Sequence, residues 1–207
     1  PQHSDRSLQQ LYSGYIKPET PEDLAWRRGQ KALHFDALAR FITSGKCLCV
    51  GCGDGLELTL ARERGFEVEG YDVDPATTRR VMQATGVRIH TGAFAALDIP
   101  DNAYDAVYMD QALEHTKHPR DDLLTARALL KPGGILYLGV PNLASIRCTL
   151  KTAAGKLGLL RRTRGKHYGT RHHHFYYAPG QLAGLLRRFY DLDILLVAGD
   201  PSPASGY

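Results

Sequence analysis

Val50-Gly51-Cys52-Gly53-Asp54-Gly55 closes the short apolar run Lys46-Cys47-Leu48-Cys49-Val50 and opens onto Leu56, Leu60 and Ala61, which recur at helical spacing until Gly65. A β-compatible run, a glycine bend and an apolar stripe of this period predict a strand, a sharp turn and a helix from Leu56. Glycine lets the backbone bend and lets a ligand approach without meeting a Cβ. Phe66-Glu67-Val68-Glu69-Gly70-Tyr71 then alternates like a second strand. Asp72, followed by Val73, therefore arrives at that strand's carboxyl end, where open α/β sheets bind ligands. A carboxylate there can accept both hydroxyls of a ribose, so bend and acid together predict a nucleoside site. The dinucleotide pattern Gly-x-Gly-x-x-Gly does not fit, because Gly51, Gly53 and Gly55 alternate and position 56 is leucine.

Three later segments extend the pattern. They are Gly92-Ala93-Phe94 with Asp98-Ile99-Pro100 and Tyr104-Asp105, then Ala106-Val107-Tyr108-Met109-Asp110-Gln111-Ala112-Leu113-Glu114-His115, then Leu129-Leu130-Lys131-Pro132-Gly133-Gly134 ahead of Ile135 to Val140. With these motifs in order, the chain from about Leu48 to about Val197 resembles the class I S-adenosylmethionine-dependent methyltransferases, in which the three segments stand for the adenine-side loop, the fourth strand with the Leu-Glu-His after it, and the turn before a fifth strand over Ile135 to Val140. The resemblance implies a single Rossmann-like, doubly wound α/β sheet, mostly parallel, with helices on both faces. It implies S-adenosylmethionine as cofactor and S-adenosylhomocysteine as product, held by Gly51, Cys52, Gly53, Gly55, Asp72, Val73, Ala93, Phe94, Asp110 and Gln111. Cys49 stands where the family usually has an aspartate. Ala93 stands where it often has an acid facing the adenine amino group, so backbone at Ala93 and Phe94, with the Phe94 ring on the base, is expected to take that part.

A length of 207 residues suits one domain, and no apolar run approaches a bilayer span. The expected divisions are an N-terminal helical cap (1–45), a cofactor-binding core (46–142), a basic insertion or lid (143–178) and a last helix with a terminal strand (179–207). Thr20 as N-cap, Pro21 at the first helical position and acids in the first turn predict a helix from Pro21 to Ile42. Gly180 to Tyr190 reads as the last helix and Leu192 to Ala198 as a strand. The antiparallel strand that the family places after it has no counterpart in Pro201-Ser202-Pro203. No signal peptide is legible, and Cys47, Cys49 and Cys52 read as reduced core thiols of a cytoplasmic protein. The start at Pro1 rather than methionine reads as processing or trimming of the chain.

Charge is segregated. Leu123 to Tyr190 holds twelve of the 26 Lys and Arg and none of the 22 Asp and Glu, so it carries +12 against −8 elsewhere. Such a stretch predicts an anionic partner. Within it, Ile146, Leu150, Ala153, Leu157 and Leu160 recur at three- and four-residue steps with Arg147, Lys151 and Lys156 between them, a basic amphipathic helix suited to a lid or to peripheral contact with an anionic membrane over 145–166. The acceptor is expected to be a small anionic or lipid-linked molecule, as in the ubiquinone-biosynthesis O-methyltransferases that the insertion resembles. Competing readings are a nucleic-acid methyltransferase, with binding that weakens steeply with salt, and a non-catalytic module that docks on a membrane or protein. Nothing in the composition sets an oligomeric state.

Gly165 to Pro179 crowds histidines, tyrosines and cations into one loop that resembles the family's His-x-x-Phe-Phe-Thr-Pro segment, with His173 at the histidine position. An oxygen nucleophile gains from losing its proton as it attacks, and imidazole suits that near neutral pH. His173 is the first candidate base and His115, beside Glu114, the second. Oxygen is preferred over nitrogen because no Asn-Pro-Pro-Tyr-like motif follows the fourth strand. Metal ligation by His167, His172, His173 and His174, or by the three crowded cysteines, is disfavoured, since adjacent residues of an extended segment face opposite ways and the cysteines sit on a buried strand and its bend.

Overall fold

The computed structural model describes residues 20–142, 145, 154 and 173–199. Among these, 20–110 with 124–138 form one compact unit, and 111–123 with 139–142, 145, 154 and 173–199 form a second.

The first unit is organised by a five-stranded sheet in the order β3-β2-β1-β4-β5, with β1 Gly45–Val50, β2 Phe66–Tyr71, β3 Ile89–His90, β4 Tyr104–Asp110 and β5 Leu130–Gly139. β1 is parallel to both neighbours, with Cys47 opposite Val68 and Ala106, and Val50 opposite Tyr71 and Met109; β2 and β3 are also parallel. The ends of β1, β2 and β4 therefore finish level, and Gly51, Asp72 and Asp110 share one edge. Strand order reverses between β1 and β4, the place where doubly wound sheets receive ligands.

Alternation along β1 sends Cys47 and Cys49 to one face and Leu48 and Val50 to the other, all buried. On the first face they join Ala106 and Tyr108 of β4 with residues of three helices: α1 Pro21–Leu38, α2 Leu56–Glu63 and α3 Pro75–Thr85. Phe35 of α1 stacks on Tyr108 at 4.6 Å, and Tyr108 on Tyr137 at 4.7 Å. Each such pair adds roughly 0.5–1.5 kcal/mol beyond its buried area. Gly70 is required by this packing, because a Cβ there would lie 2.6 Å from Ile89 Cδ1 and 3.1 Å from Cys52 Sγ. Cys47, Cys49 and Cys52 are free thiols, and for Cys52 burial pushes the thiol up.

Across the sheet, Glu69 of β2 accepts hydrogen bonds from Tyr104 Oη at 2.6 Å and His90 Nε2 at 2.7 Å, and pairs with Lys46 Nζ at 2.8 Å. Burial pushes its carboxyl up, but these donors together outweigh burial and hold it at about 2, below the ordinary 4.5. A depressed carboxyl stabilises the fold above its unfolded value and loses that contribution as pH falls toward its folded one. Stability measured by urea unfolding is thus expected to decline between about pH 4.5 and about pH 2, and Glu69→Gln to flatten that decline. Equal slopes for both proteins would exclude Glu69 as the source.

α1 begins as expected: Thr20 and Asp23 form a reciprocal capping box with Pro21 at the first helical position. It ends at Leu38 rather than Ile42, because Arg40 and Phe41 bond back to Ala37 and Leu38 in tight turns. β5 is assigned from Leu130, not Ile135, and ends at Gly139; it includes the Lys131–Gly134 bend, where Gly133 has φ +77°.

In the second unit, the chain after Gln111 forms a short 3₁₀ turn, Leu113–His115, then enters α4, Pro119–Leu129, which continues into the first unit. His174 and Phe175 donate their backbone N–H groups to the Glu114 carbonyl at 2.8 and 3.3 Å. α5, Pro179–Tyr190, buries Leu182, Leu186 and Tyr190 at four-residue steps and is capped by Asp191 in the left-handed conformation. The expected strand over Leu192–Ala198 does not form: the segment has no assigned strand, and Leu195, Leu196 and Val197 are exposed. Among the described residues no strand is paired with this apolar run, and a strand requires such a partner. The basic helix expected over 145–160 lies outside the described residues apart from 145 and 154, as do His167 and His172.

Candidate active site

The glycine bend is shaped by backbone conformation. Gly51, Gly53 and Gly55 have φ of +74°, +48° and +89°, a region side chains avoid. Gly51 and Cys52 donate their N–H groups to the Tyr71 carbonyl at 2.8 and 3.1 Å, tying the bend to the end of β2. At Gly55 a Cβ would lie 2.9 Å from Val81 Cγ1, so this glycine lets α2 close on α3; at Gly53 the nearest atom would be 3.9 Å away, leaving that side of the bend open.

Asp72 is half-buried at the tip of β2. Oδ2 accepts the Gly53 N–H at 3.1 Å and Oδ1 the Asp74 N–H at 2.9 Å. Burial raises its pKa above the ordinary 3.8, and the two amides only partly offset that. The carboxylate is thus held against the open side of the bend. Val73 beside it is exposed. On the same strand, Tyr71 Oη donates to the Gly92 carbonyl at 2.8 Å and its ring lies 4.8 Å from that of Phe94. Phe94 is buried by this contact, while Ala93 is exposed.

Asp110 is buried at the end of β4, where Lys31 Nζ pairs with it and His34 Nδ1 lies 3.6 Å from it. Lys31 also pairs with Glu57 at 2.8 Å, and Arg27 with Asp54 of the bend. Arg27 and Lys31, followed by His34, recur at helical spacing on α1, a stripe that could have signalled this contact; sequence reasoning passed over it, together with Glu57 in the first turn of α2. Gln111, the first residue of the second unit, is exposed with φ +52° and donates its N–H to the Gly139 carbonyl at 2.9 Å.

The second unit brings the two candidate histidines together. Glu114 is fully buried, and its Oε1 lies 3.9 Å from His115 Nε2 and 4.0 Å from His173 Nε2. The imidazoles meet edge-on at 4.8 Å between centroids, and Tyr176 leans on His173 at 5.7 Å. Sequence reasoning noted Glu114 only as the neighbour of His115; its approach to His173 is a contact across nearly sixty positions.

A glycine bend running into a helix, with an acid at the next strand tip on the switch edge of a 3-2-1-4-5 sheet, defines the S-adenosylmethionine-dependent methyltransferase class of fold. A profile of the family described as a methyltransferase domain matches residues 25–194, and the chain belongs to that family. It is 29% identical over 126 residues to a Mycolicibacterium smegmatis protein named "Probable S-adenosylmethionine-dependent methyltransferase", covering 60% of this chain and 49% of that one. It is 29% identical over 158 residues to the ubiquinone biosynthesis O-methyltransferase of Shewanella halifaxensis, covering 73% and 65%. A Thermotoga maritima SAM-dependent methyltransferase shares the fold, with a TM-score of 0.62 at 17% identity over 87% of this chain and 78% of that one. The chain spans about half the length of the first of these relatives. Family and fold imply S-adenosylmethionine as cofactor, and the open side of the bend at Gly53 beside the fixed Asp72 carboxylate fits its ribose. No helix of the described residues is long and apolar enough to cross a membrane.

Proposed function

We propose that this chain, as a single methyltransferase domain, transfers a methyl group from S-adenosylmethionine to an oxygen of a small anionic or lipid-linked acceptor, such as a sugar or glycan intermediate, a phenol or a quinone precursor. The observation that carries the methyl-transfer reading is the Asp72 carboxylate, braced by two backbone amides beside the glycine bend. The family match, which spans residues of both units, supports the single domain. Likeness to a ubiquinone biosynthesis O-methyltransferase supports an oxygen acceptor, and the cation-rich, acid-free stretch supports an anionic one.

When bound, the sulfonium supplies an electrophilic methyl carbon. The chain's part is to hold and orient. Asp72 accepts the ribose hydroxyls, the glycine bend with Cys52 admits the cofactor's amino-acid end, Val73, Ala93 and Phe94 flank the adenine, and Asp110 with Gln111 closes the edge at β4. His173 takes the acceptor's proton, with His115 as the second candidate, and Glu114 steadies the imidazole and the positive charge it gains. Residues 145–166 supply peripheral contact with an anionic membrane in a cytoplasmic protein.

The test is His173→Ala. Turnover on a responsive acceptor is expected to fall by about a hundredfold, with S-adenosylmethionine affinity by calorimetry unchanged and with partial rescue by added imidazole. Undiminished turnover would remove His173 from the chemistry. If no member of an oxygen, nitrogen and carbon acceptor panel is methylated from labelled cofactor, the methyl-transfer reading itself fails.

A further inference from the structure

We propose that Glu114, His115 and His173 form a binding site for one divalent first-row transition-metal ion. One donor atom from each of the three lies within 4.8 Å of the other two, and Glu114 Oε1 is 3.9 and 4.0 Å from the two Nε2 atoms. Those separations exceed hydrogen-bond reach. They approach the spacing of ligands on a shared ion, about 3.4 Å for tetrahedral coordination with bonds near 2.1 Å.

The surroundings favour an ion. Glu114 is fully withdrawn from water, and coordination to a metal is one of the settings in which a buried carboxylate keeps its charge. The 3₁₀ turn carrying Glu114 and His115 is clamped to the segment carrying His173, because the amides of His174 and Phe175 both end on the Glu114 carbonyl. The donors are thereby fixed as a set before any ion arrives. Two imidazoles and one carboxylate suit zinc, iron, cobalt or nickel, whereas magnesium and calcium prefer oxygen ligands. Three protein donors leave at least one coordination position open. The set joins one histidine from the His172-His173-His174 run to the Glu114-His115 pair far upstream, a combination that neither the run nor the three crowded cysteines announce by themselves.

The proposal shares its histidines with the methyl-transfer reading but does not depend on it. With an ion bound, the ring nitrogens give it their lone pairs and His173 no longer accepts a proton; the charge of the ion then favours the deprotonated form of an oxygen ligand in the open position.

The full chain, stripped with a chelator, is titrated with Zn²⁺ by calorimetry and with Co²⁺ by visible absorption, without cofactor or acceptor. Wild type is expected to take up a single tight equivalent with the intense visible bands of low-coordinate cobalt. Glu114→Gln, His115→Ala and His173→Ala are each expected to weaken it by about tenfold or more. His118→Ala, which alters an exposed histidine of the same unit, should bind like wild type. Absence of a tight equivalent in the wild type overturns the proposal, as does an equivalent that survives undiminished in all three variants. Glu114→Gln preserves side-chain shape, and its melting curve separates lost binding from lost folding. Failure here leaves the methyl-transfer reading intact, and failure of the acceptor panel leaves this binding result intact.

Discussion

Replacing Lys31 by methionine is expected to lower stability by about 3–5 kcal/mol, the usual cost of removing one partner from a buried ionic cluster. The Lys31 ammonium sits 15% exposed between Glu57 Oε1 at 2.8 Å and Asp110, whose side chains are 11% and 5% exposed. Burial alone would push its pKa down, and the two carboxylates reverse that and hold it above the ordinary 10.5. A cation held up in this way contributes its full stabilisation below 10.5 and loses it only in strong base, so at neutral pH the whole effect is present. Methionine fills the stem's volume and removes the charge, leaving two acids desolvated and facing each other. For a chain of this size the loss corresponds to a fall in melting temperature of roughly 10 °C. Adding Glu57→Gln and Asp110→Asn to Lys31→Met should recover part of it, because the variant then buries no charge there. A melting temperature equal to wild type for Lys31→Met would mean that α1 is held by the Phe35 and Leu38 packing alone.

The sheet and its glycine bend were legible because their determinants are local: the alternation of Phe66 to Tyr71, the glycines at 51, 53 and 55, and the Thr20 cap each act within a few residues. What escaped depends on distance. Lys31 meets Asp110 across 79 positions, and nothing in either segment alone announces the other. The run Leu192-Asp193-Ile194-Leu195-Leu196-Val197-Ala198 has a strand's composition but no strand is assigned, since composition supplies only half of a ladder. Glu114 shows the same limit from the side of function: its sequence neighbour His115 drew the attention, while the second imidazole near its carboxylate, His173, stands almost sixty residues on. At Asp72 both scales coincide. Its position after an alternating strand marked it in sequence, and the structure adds the two amides that fix its oxygens.

Asp72→Ala is accordingly expected to weaken S-adenosylmethionine binding by a hundredfold or more, about 3 kcal/mol, which is what one or two charge-assisted hydrogen bonds contribute. The side chain acts twice. Toward the ligand it offers acceptors to the ribose hydroxyls; toward the protein it takes the Gly53 N–H at 3.1 Å and so sets the open side of the bend. Alanine removes both. Asp72→Asn separates them, because the amide oxygen still accepts one backbone donor while the charge is gone, and its affinity should fall between wild type and alanine. Burial raises the Asp72 pKa above 3.8, so the folded state carries its ionised form at a cost at neutral pH, a cost that vanishes as the group is protonated. Removing the charge relieves that cost, and Asp72→Asn without cofactor should melt no lower than wild type even as its affinity drops. Stability spent on a charge that the fold does not need is the mark of a group kept for its ligand. Calorimetric titration of the three proteins, paired with their melting curves, decides the matter: equal affinity in wild type and Asp72→Ala would detach the ribose from β2, and equal loss of stability and affinity in Asp72→Asn would make the residue a brace for the bend alone.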